Sequence, residues 1–121
     1  MNIHEKINYL EFPARDIDAT KAFFSRAFGW TFTDYGPDYT AFDGAGIDGG
    51  FFRATQTAST ATGSVLVVLY SADLAQTQAG IEAAGGTIVK PAYAFPGGRR
   101  FHFCDPSGNE YAVWSEPDAA A

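Results

Sequence analysis

The sequence predicts an α+β fold of two tandem βαβββ modules, which form a curved, half-barrel mixed sheet with the helices outside. One observation behind this prediction is an internal repeat, since IDATKAFFSRAFGW follows Asp16 and LAQTQAGIEAAGGT follows Asp73. Matched pairs occur in the same order in both copies: Thr20 and Thr77, Ala22 and Ala79, Ala27 and Ala84, Gly29 and Gly86. A second observation is that short apolar segments precede and follow each repeat. Duplication of one βαβββ unit accounts for both observations.

A strand is expected before each helix. Near the start of the chain, Ile7, Tyr9 and Glu11 alternate with their neighbours at the period of two that is typical of strands. The corresponding segment of the second copy is VLVVLY at 65–70. Its continuous apolar run indicates a buried strand.

Each of these strands leads into a helix. The expected helices cover about 17–28 and 74–84. Asp16 and Asp73 are suited to begin them, because a short carboxylate accepts hydrogen bonds from the free N–H groups of the first turn. Gly29 and the pair Gly85–Gly86 are suited to their ends, where a positive φ is often needed.

Three strands are expected after each helix. They cover about 30–35, 38–43 and 47–53 in the first copy, and about 86–90, 99–104 and 109–115 in the second. The sequences GPDY and PSGN supply the turn residues between neighbouring strands. We therefore expect one domain over 1–121, with modules at about 3–54 and 64–116 and a small, polar linker at about 55–63.

The composition indicates a folded, acidic protein. Hydrophobic residues make up 46% of the chain and the formal net charge is −6. Nucleic acid is therefore a poor candidate partner, because an acidic chain repels phosphate. The single cysteine, Cys104, excludes an internal disulfide and favours a cytoplasmic location. No signal peptide is visible, and the longest strongly apolar run is far shorter than the about 20 residues that span a membrane.

Three motifs together carry a family resemblance: INYLEFPARDIDATKAFFSRAFGW, the second Asp-led helix ending in AAGG, and DPSGNEYAVW. With them the chain resembles the vicinal oxygen chelate superfamily, which includes glyoxalase I, extradiol dioxygenases and bleomycin- and fosfomycin-resistance proteins. The resemblance covers nearly the whole chain. It implies a groove inside the curved sheet, but it does not specify a reaction.

The resemblance also implies where a metal would bind. Enzymes of the superfamily hold one divalent ion through four positions, which fall here on Tyr9, Phe51, Val65 and Ala112. Valine, phenylalanine and alanine offer no lone pair to a cation, and a tyrosine hydroxyl keeps its proton at neutral pH. We therefore expect neither a metal nor another cofactor.

Two glutamates near these positions are expected to point away from the cavity. They are Glu11 and Glu110, and the reason is that a slip of one residue turns a strand's side chain to the other face.

His102 is the main polar candidate in the groove. If 99–104 and 109–115 pair as a hairpin, His102 lies opposite Ala112 and points into the groove, while Phe101 and Phe103 point to the helices. There it would hydrogen-bond a ligand, or act as acid and base together with Tyr9. The alternative is a histidine on a strand that is partly exposed or has its hydrogen bonds satisfied.

The remaining candidates form an apolar and cationic wall. The complete set of ligand-binding candidates is Tyr9, Trp30, Phe51, Val65, Phe95, Arg99, His102, Ala112 and Trp114. The segment PAYAFPGG at 91–98 is expected to be a loop over the cavity mouth. Cys104 is expected to be a buried, inert thiol.

These observations favour a protein that has lost its metal and binds a small, partly aromatic molecule in the groove. The alternative is a lyase, isomerase or dioxygenase-type enzyme of the same superfamily, either metal-dependent or using His102 and Tyr9. A module that binds another protein is a third hypothesis. We expect a homodimer, because the superfamily commonly pairs its modules around a two-fold axis and because unpaired apolar edge strands promote association.

Overall fold

The computed structural model describes residues 2–117. The first module contains β1 (Tyr9–Ala14), α1 (Ile17–Phe28), β2 (Thr31–Asp34), β3 (Tyr39–Asp43) and β4 (Asp48–Arg53). The second contains β5 (Val67–Tyr70), α2 (Leu74–Ala83), β6 (Thr87–Phe95), β7 (Gly98–Cys104) and β8 (Glu110–Ser115). A 3₁₀ helix, Thr60–Thr62, lies between the modules. The predicted α+β class with two βαβββ modules is confirmed.

The strands form two open, four-stranded mixed sheets of the same topology. Sheet A has the order β1-β4-β3-β2, and sheet B has the order β5-β8-β7-β6. In each sheet the first and last strands of the module pair in parallel, and the other neighbours are antiparallel. The strands β1 and β5 are therefore edge strands at corresponding places in the two sheets.

Both helices begin and end where local sequence signals predict. The Asp16 side chain accepts a hydrogen bond from the backbone N–H of Ala19 (3.0 Å), and Asp73 does the same for Gln76 (3.2 Å). Gly29 ends α1 in the left-handed region, at φ 74°, which glycine adopts without a steric penalty. Neither described helix is long and apolar enough to cross a membrane.

The segment 91–98 is not the predicted loop. Residues up to Phe95 continue strand β6, and β7 begins at Gly98, so the segment is the tip of a hairpin. The pairing of β6 with β7 shifts register twice, between Ile88 and Tyr93. Such irregularities on an edge strand tolerate Pro91, which has no N–H to contribute to a ladder.

The core lies between the two sheets, where both helices and one face of each sheet meet. The ring of Phe12 on β1 is 5.4 Å from that of Tyr111 on β8, and Phe24 on α1 is 5.5 Å from Tyr111. We call these core-facing surfaces the inner faces. Phe101 and Phe103 are fully buried on the inner face of sheet B, as predicted.

The opposite surface of each sheet, its outer face, points away from this common core. Side chains alternate along a strand, so Tyr9 and Glu11 lie on the outer face of sheet A. His102 and Ala112 lie on the outer face of sheet B, where they are paired across β7 and β8. The candidate polar residues are thus divided between two separate faces of one chain.

A buried turn at 105–109 joins the modules. The Asp105 carboxylate accepts hydrogen bonds from the backbone N–H groups of Ser107 (2.9 Å) and Asn109 (3.0 Å) and from the Tyr111 hydroxyl (2.8 Å). Burial raises the pKa of Asp105, although these hydrogen bonds act in the opposite direction. The carboxylate is therefore held in the core by its partners rather than by solvent.

Asn109 extends this turn to the rest of the chain. Its side-chain amide donates to the carbonyl of Pro13 at the end of β1 (2.7 Å) and accepts from the backbone N–H of Ala58 in the linker (2.8 Å). One buried side chain thus connects β8, β1 and the linker.

Replacing Asn109 with alanine should therefore destabilise the fold by about 1–3 kcal/mol, because two half-buried backbone groups lose their partners. Urea unfolding followed by circular dichroism measures this change. Asn8→Ala removes an exposed amide and serves as the control, with almost no expected loss. A loss below about 1 kcal/mol for Asn109→Ala would contradict the role given to this side chain.

Candidate functional site

The outer face of sheet B brings together four of the predicted site residues. His102 and Ala112 are direct cross-strand partners. Trp114 follows on the same face of β8, and its ring centroid lies 6.3 Å from that of Phe95 at the end of β6. These four residues occupy one continuous surface, although three different strands supply them.

The other predicted residues lie elsewhere. Trp30 and Phe51 belong to the aromatic core, and Phe51 is fully buried. Val65 precedes β5 and is 86% exposed. Arg99 pairs with Ser115 and, by alternation, faces the inner side of sheet B. Tyr9 lies on the outer face of the other sheet.

Glu110 belongs to the site, and the expectation that it points away from the cavity is wrong. It lies two residues before Ala112, so alternation puts both on the same face. Its carboxylate accepts a hydrogen bond from Nδ1 of His102 over 2.8 Å. The spacing of two from Ala112 would have identified it. The same spacing of two, applied to His102, places Arg100 on the outer face and leaves Arg99 on the inner face.

The hydrogen bonds of His102 define its tautomer. Its Nε2 is 3.3 Å from an Arg100 Nη atom and 3.1 Å from the Tyr93 hydroxyl. A guanidinium only donates hydrogen bonds, so Nε2 is the accepting nitrogen and Nδ1–H donates to Glu110. The result is a carboxylate–imidazole pair of fixed orientation, and the His102 side chain is only 8% exposed.

Glu110 is itself held by the linker. Its second carboxylate oxygen accepts hydrogen bonds from the backbone N–H (2.9 Å) and the hydroxyl (2.7 Å) of Thr60. Burial favours the neutral form of Glu110, but the hydrogen bonds from His102 and Thr60 outweigh it and lower the pKa of the carboxyl. Glu110 is therefore an anion with both oxygens occupied.

A mainly apolar cavity of about 350 Å³ adjoins this polar group. It is lined by Val68, Phe95, Gly97, Arg100 and Trp114. Arg100 belongs both to the cavity wall and to the hydrogen bonds of His102, so the cavity and the polar cluster form one site.

The outer face of sheet A carries a separate polar cluster. The hydroxyls of Tyr9 and Tyr39 are 2.5 Å apart, and Tyr39 donates to Glu11 over 2.9 Å. Burial, followed by the hydrogen bonds to Tyr9 and Glu11, raises the pKa of Tyr39. Like Glu110, Glu11 thus takes part in an outer-face cluster, although it was expected to point away from the cavity.

Cys104 lies on the outer face of sheet B beyond His102. Burial raises the pKa of its thiol, and the neighbouring carboxylates of Glu110 and Asp105 act in the same direction. A thiol with a raised pKa is a poor nucleophile. The thiol is half-buried rather than buried as predicted, and its low reactivity stays a prediction.

Residues 6–113 match the family described as the Glyoxalase/Bleomycin resistance protein/Dioxygenase superfamily. The chain belongs to this superfamily. No curated protein sequence matches the chain significantly. The assignment agrees with the duplicated βαβββ topology and with the resemblance carried by the sequence motifs.

Solved structures of this superfamily have the same fold. A glyoxalase-related enzyme from Fulvimarina pelagi is similar with a TM-score of 0.77 and 19% identity, over 93% of this chain and 89% of that one. A fosfomycin resistance protein from Listeria monocytogenes has a TM-score of 0.75 and 18% identity, over 93% and 94%. A lactoylglutathione lyase from Agrobacterium tumefaciens has a TM-score of 0.70 and 18% identity, over 92% and 93%. At these identities the likeness shows the fold alone.

Residues 2–117 do not fit the divalent ion that the family resemblance implies. Within residues 2–117 no group of three or more His, Cys, Asp or Glu side chains is placed to hold a metal. Ala112 has no donor atom, and Tyr9 is hydrogen-bonded to another tyrosine. We therefore derive no chemistry from a bound metal.

Two of the expected metal positions need correction. On β4, Gly50 pairs with Glu11 of β1, and on β8, Ala112 pairs with Val68, the matching residue of β5. The counterpart of Ala112 in the first module is therefore Gly50 and not Phe51. A Cβ added at Gly50 would lie 2.3 Å from the Tyr39 hydroxyl oxygen, so a side chain has no room there. In the second module, Leu66 lies as many residues before Asp73 as Tyr9 lies before Asp16. Leu66, and not Val65, is therefore the position that matches Tyr9.

The lowered pKa of Glu110 predicts a pH-dependent stability. The ionised form stabilises the folded state above the ordinary value of 4.5, and this contribution disappears as the pH falls through the lower folded-state pKa. Glu110→Gln should destabilise the protein by about 1–3 kcal/mol near neutrality, and the difference from wild type should shrink toward about pH 3. Urea unfolding at several pH values tests this.

Glu82→Gln, at an exposed position on α2, is the control and should leave the stability nearly unchanged. A deficit for Glu110→Gln that stays constant from about pH 6 to about pH 3 would mean that the ionised carboxylate is not the stabilising species.

Proposed function

We propose that this protein binds a small, partly aromatic molecule on the outer face of sheet B without a metal ion. The observation that carries the proposal is the apolar cavity between Phe95 and Trp114, together with the polar cluster that adjoins it. Binding sites for small molecules typically combine an apolar wall with a few fixed polar groups. The side chain of Arg100 supplies such a group here, and His102, which Glu110 orients, holds it in place.

A second cavity, of about 380 Å³, supports ligand binding less well. It opens between the edge strands β1 and β5 and is lined on the inner side by Leu10, Phe12, Val67 and Leu69 among others. Its lining offers no charged group. Its polar groups are the Trp30 indole N–H and two tyrosine hydroxyls, of which that of Tyr111 donates to Asp105 and that of Tyr70 to Glu116. It therefore has little with which to orient a ligand.

We further propose a cytoplasmic homodimer. The edge strands β1 and β5 each have one edge without a partner strand, and the outer faces expose large side chains such as Tyr9 (43%) and Tyr70 (53%). The outer face of sheet A carries Glu11 and Asp48, while that of sheet B carries Lys90. This complementary charge favours the approach of sheet A of one copy to sheet B of another.

The second candidate function is acid–base catalysis without a metal. The fixed pair of Glu110 and His102 supports it, because a carboxylate that orients an imidazole is a common arrangement for a general base. Two features weaken it: Nε2 of His102 is already engaged by Arg100 and Tyr93, and Tyr9 would have to come from a second copy. Binding is therefore the function we favour.

Ala112 provides a direct test of the binding site. It is fully buried and is the cross-strand partner of Val68, which lines the cavity, so the bulk of Ala112→Trp should displace Val68 into the cavity and abolish binding while the inner-face core stays intact. The probe is benzyl alcohol, a neutral ring compound, titrated into ¹⁵N-labelled protein while the Trp114 indole N–H signal is followed by NMR. Ala75→Trp, at an exposed position on α2, should bind as the wild type does.

The Trp30→Phe variant assigns the two indole signals. Addition of EDTA should leave binding unchanged. If neither benzyl alcohol nor a charged analogue shifts the Trp114 signal, or if chelation abolishes the shift, the proposed function is wrong.

The dimer is tested by multi-angle light scattering at tens of micromolar protein. We expect twice the chain mass of 13.0 kDa. Phe52→Lys should shift the protein toward monomer, because it puts a charge on a half-exposed position of the outer face of sheet A. Ala75→Lys is the control. A wild-type mass near that of one chain contradicts the proposal.

A further inference from the structure

We infer that the ligand of the sheet B cavity is an aromatic carboxylate and that Arg100 binds its carboxylate group. This inference rests on the proposed function and deepens it by naming the class of ligand. The overall charge of −6 would by itself favour a cationic ligand. The local arrangement around Arg100 favours the opposite charge.

Arg100 is positioned in the cavity by strand alternation. It lies two residues before His102 on β7 and pairs with Trp114 on β8, so its side chain shares the outer face with both. It lines the cavity together with Val68, Phe95 and Trp114. A ligand ring resting on Phe95 or Trp114 would therefore have the guanidinium within the same small volume.

The guanidinium lacks a carboxylate partner. Within residues 2–117, Arg100 takes part in no ion pair with an acidic side chain. Its Nε–H is buried and has no hydrogen-bond acceptor. The described contact of its Nη2 is the hydrogen bond to His102. A cation with unmet donors in a partly buried site calls for an anionic acceptor.

The nearby glutamate does not serve as that acceptor. Both oxygens of Glu110 are occupied, one by His102 and the other by Thr60. His102 thus separates Glu110 from Arg100, since Nδ1 contacts the carboxylate and Nε2 contacts the guanidinium. The positive charge of Arg100 is left available to a ligand.

Aromatic rings fix the guanidinium in position. Its central carbon lies 5.9 Å from the ring centroids of both Tyr93 and Phe95, at the distance of a cation–π contact. Lys90 Nζ lies 4.5 Å from the Tyr93 ring on the same hairpin and adds a second positive charge. An arginine held in this way offers a preorganised, planar pair of donors to a carboxylate.

Three ring compounds that differ in charge test this inference: benzoate, benzyl alcohol and benzylamine. Each is titrated into ¹⁵N-labelled protein, and the Trp114 indole and Arg100 Nε–H signals are followed by NMR. We expect benzoate to bind at least about ten-fold more tightly than the other two, a difference of about 1.4 kcal/mol. The Arg100 Nε–H signal should move with benzoate alone.

Variants assign the preference to Arg100. Arg100→Gln should abolish the preference for benzoate over benzyl alcohol, and residual binding of both compounds to this variant would show that the cavity is still formed. Arg100→Lys should restore only part of the preference, because lysine keeps the charge but not the planar pair of donors. Arg26→Gln, at an exposed position on α1, matches the change in net charge and should retain the full preference.

The outcomes separate this inference from the proposed function. Equal binding of the three compounds, or a preference for benzylamine, overturns the carboxylate assignment while ligand binding stands. A benzoate preference that survives Arg100→Gln overturns the role of Arg100. If Arg100→Gln instead dissociates a dimer and leaves the preference intact, the arginine serves the contact between copies. If no compound binds, the proposed function fails, and the inference fails with it.

Discussion

The buried carboxylate of Asp105 organises the turn by which the two modules are joined. Transfer of this charged group from water into the core is unfavourable unless hydrogen bonds replace the lost solvation. Backbone N–H groups and the Tyr111 hydroxyl provide them. The conformation of this turn places the Asn109 side chain within hydrogen-bond distance of β1 and of the linker. It also fixes the register of β8, in which Ala112 lies opposite His102. The fold and the site thus depend on the same few residues.

Much of the fold follows from local signals in the sequence. The helix bounds at Asp16 and Gly29 are encoded within a few residues, because capping is a short-range interaction. The hairpin of β7 and β8 is encoded by its turn, so the pairing of His102 with Ala112 could be predicted. The extension of β6 to Phe95 could not, because its register shifts depend on the partner strand.

The site was less predictable than the fold for two physical reasons. The face of a strand residue depends on an exact register, so an error of one residue assigned Phe51 to the cavity when it belongs to the core. The contacts that orient His102 come from distant segments: Thr60 reaches Glu110 from the linker, and Tyr93 comes from the neighbouring strand. No local pattern reports such contacts. The feature that the sequence did contain, the spacing of two between Glu110 and Ala112, indicates only a shared face.

The contact between Thr60 and Glu110 has a consequence for how such proteins can change over time. The two modules are similar enough to suggest that one could be exchanged for a module from a relative. The linker, however, supplies the hydrogen bonds that fix the carboxylate beneath His102. Recombination that keeps both modules but replaces the connecting segment would preserve the scaffold and release the imidazole from its orientation. A replacement linker would therefore have to keep donors equivalent to those of Thr60, although Thr60 lies 50 residues before Glu110 in the sequence.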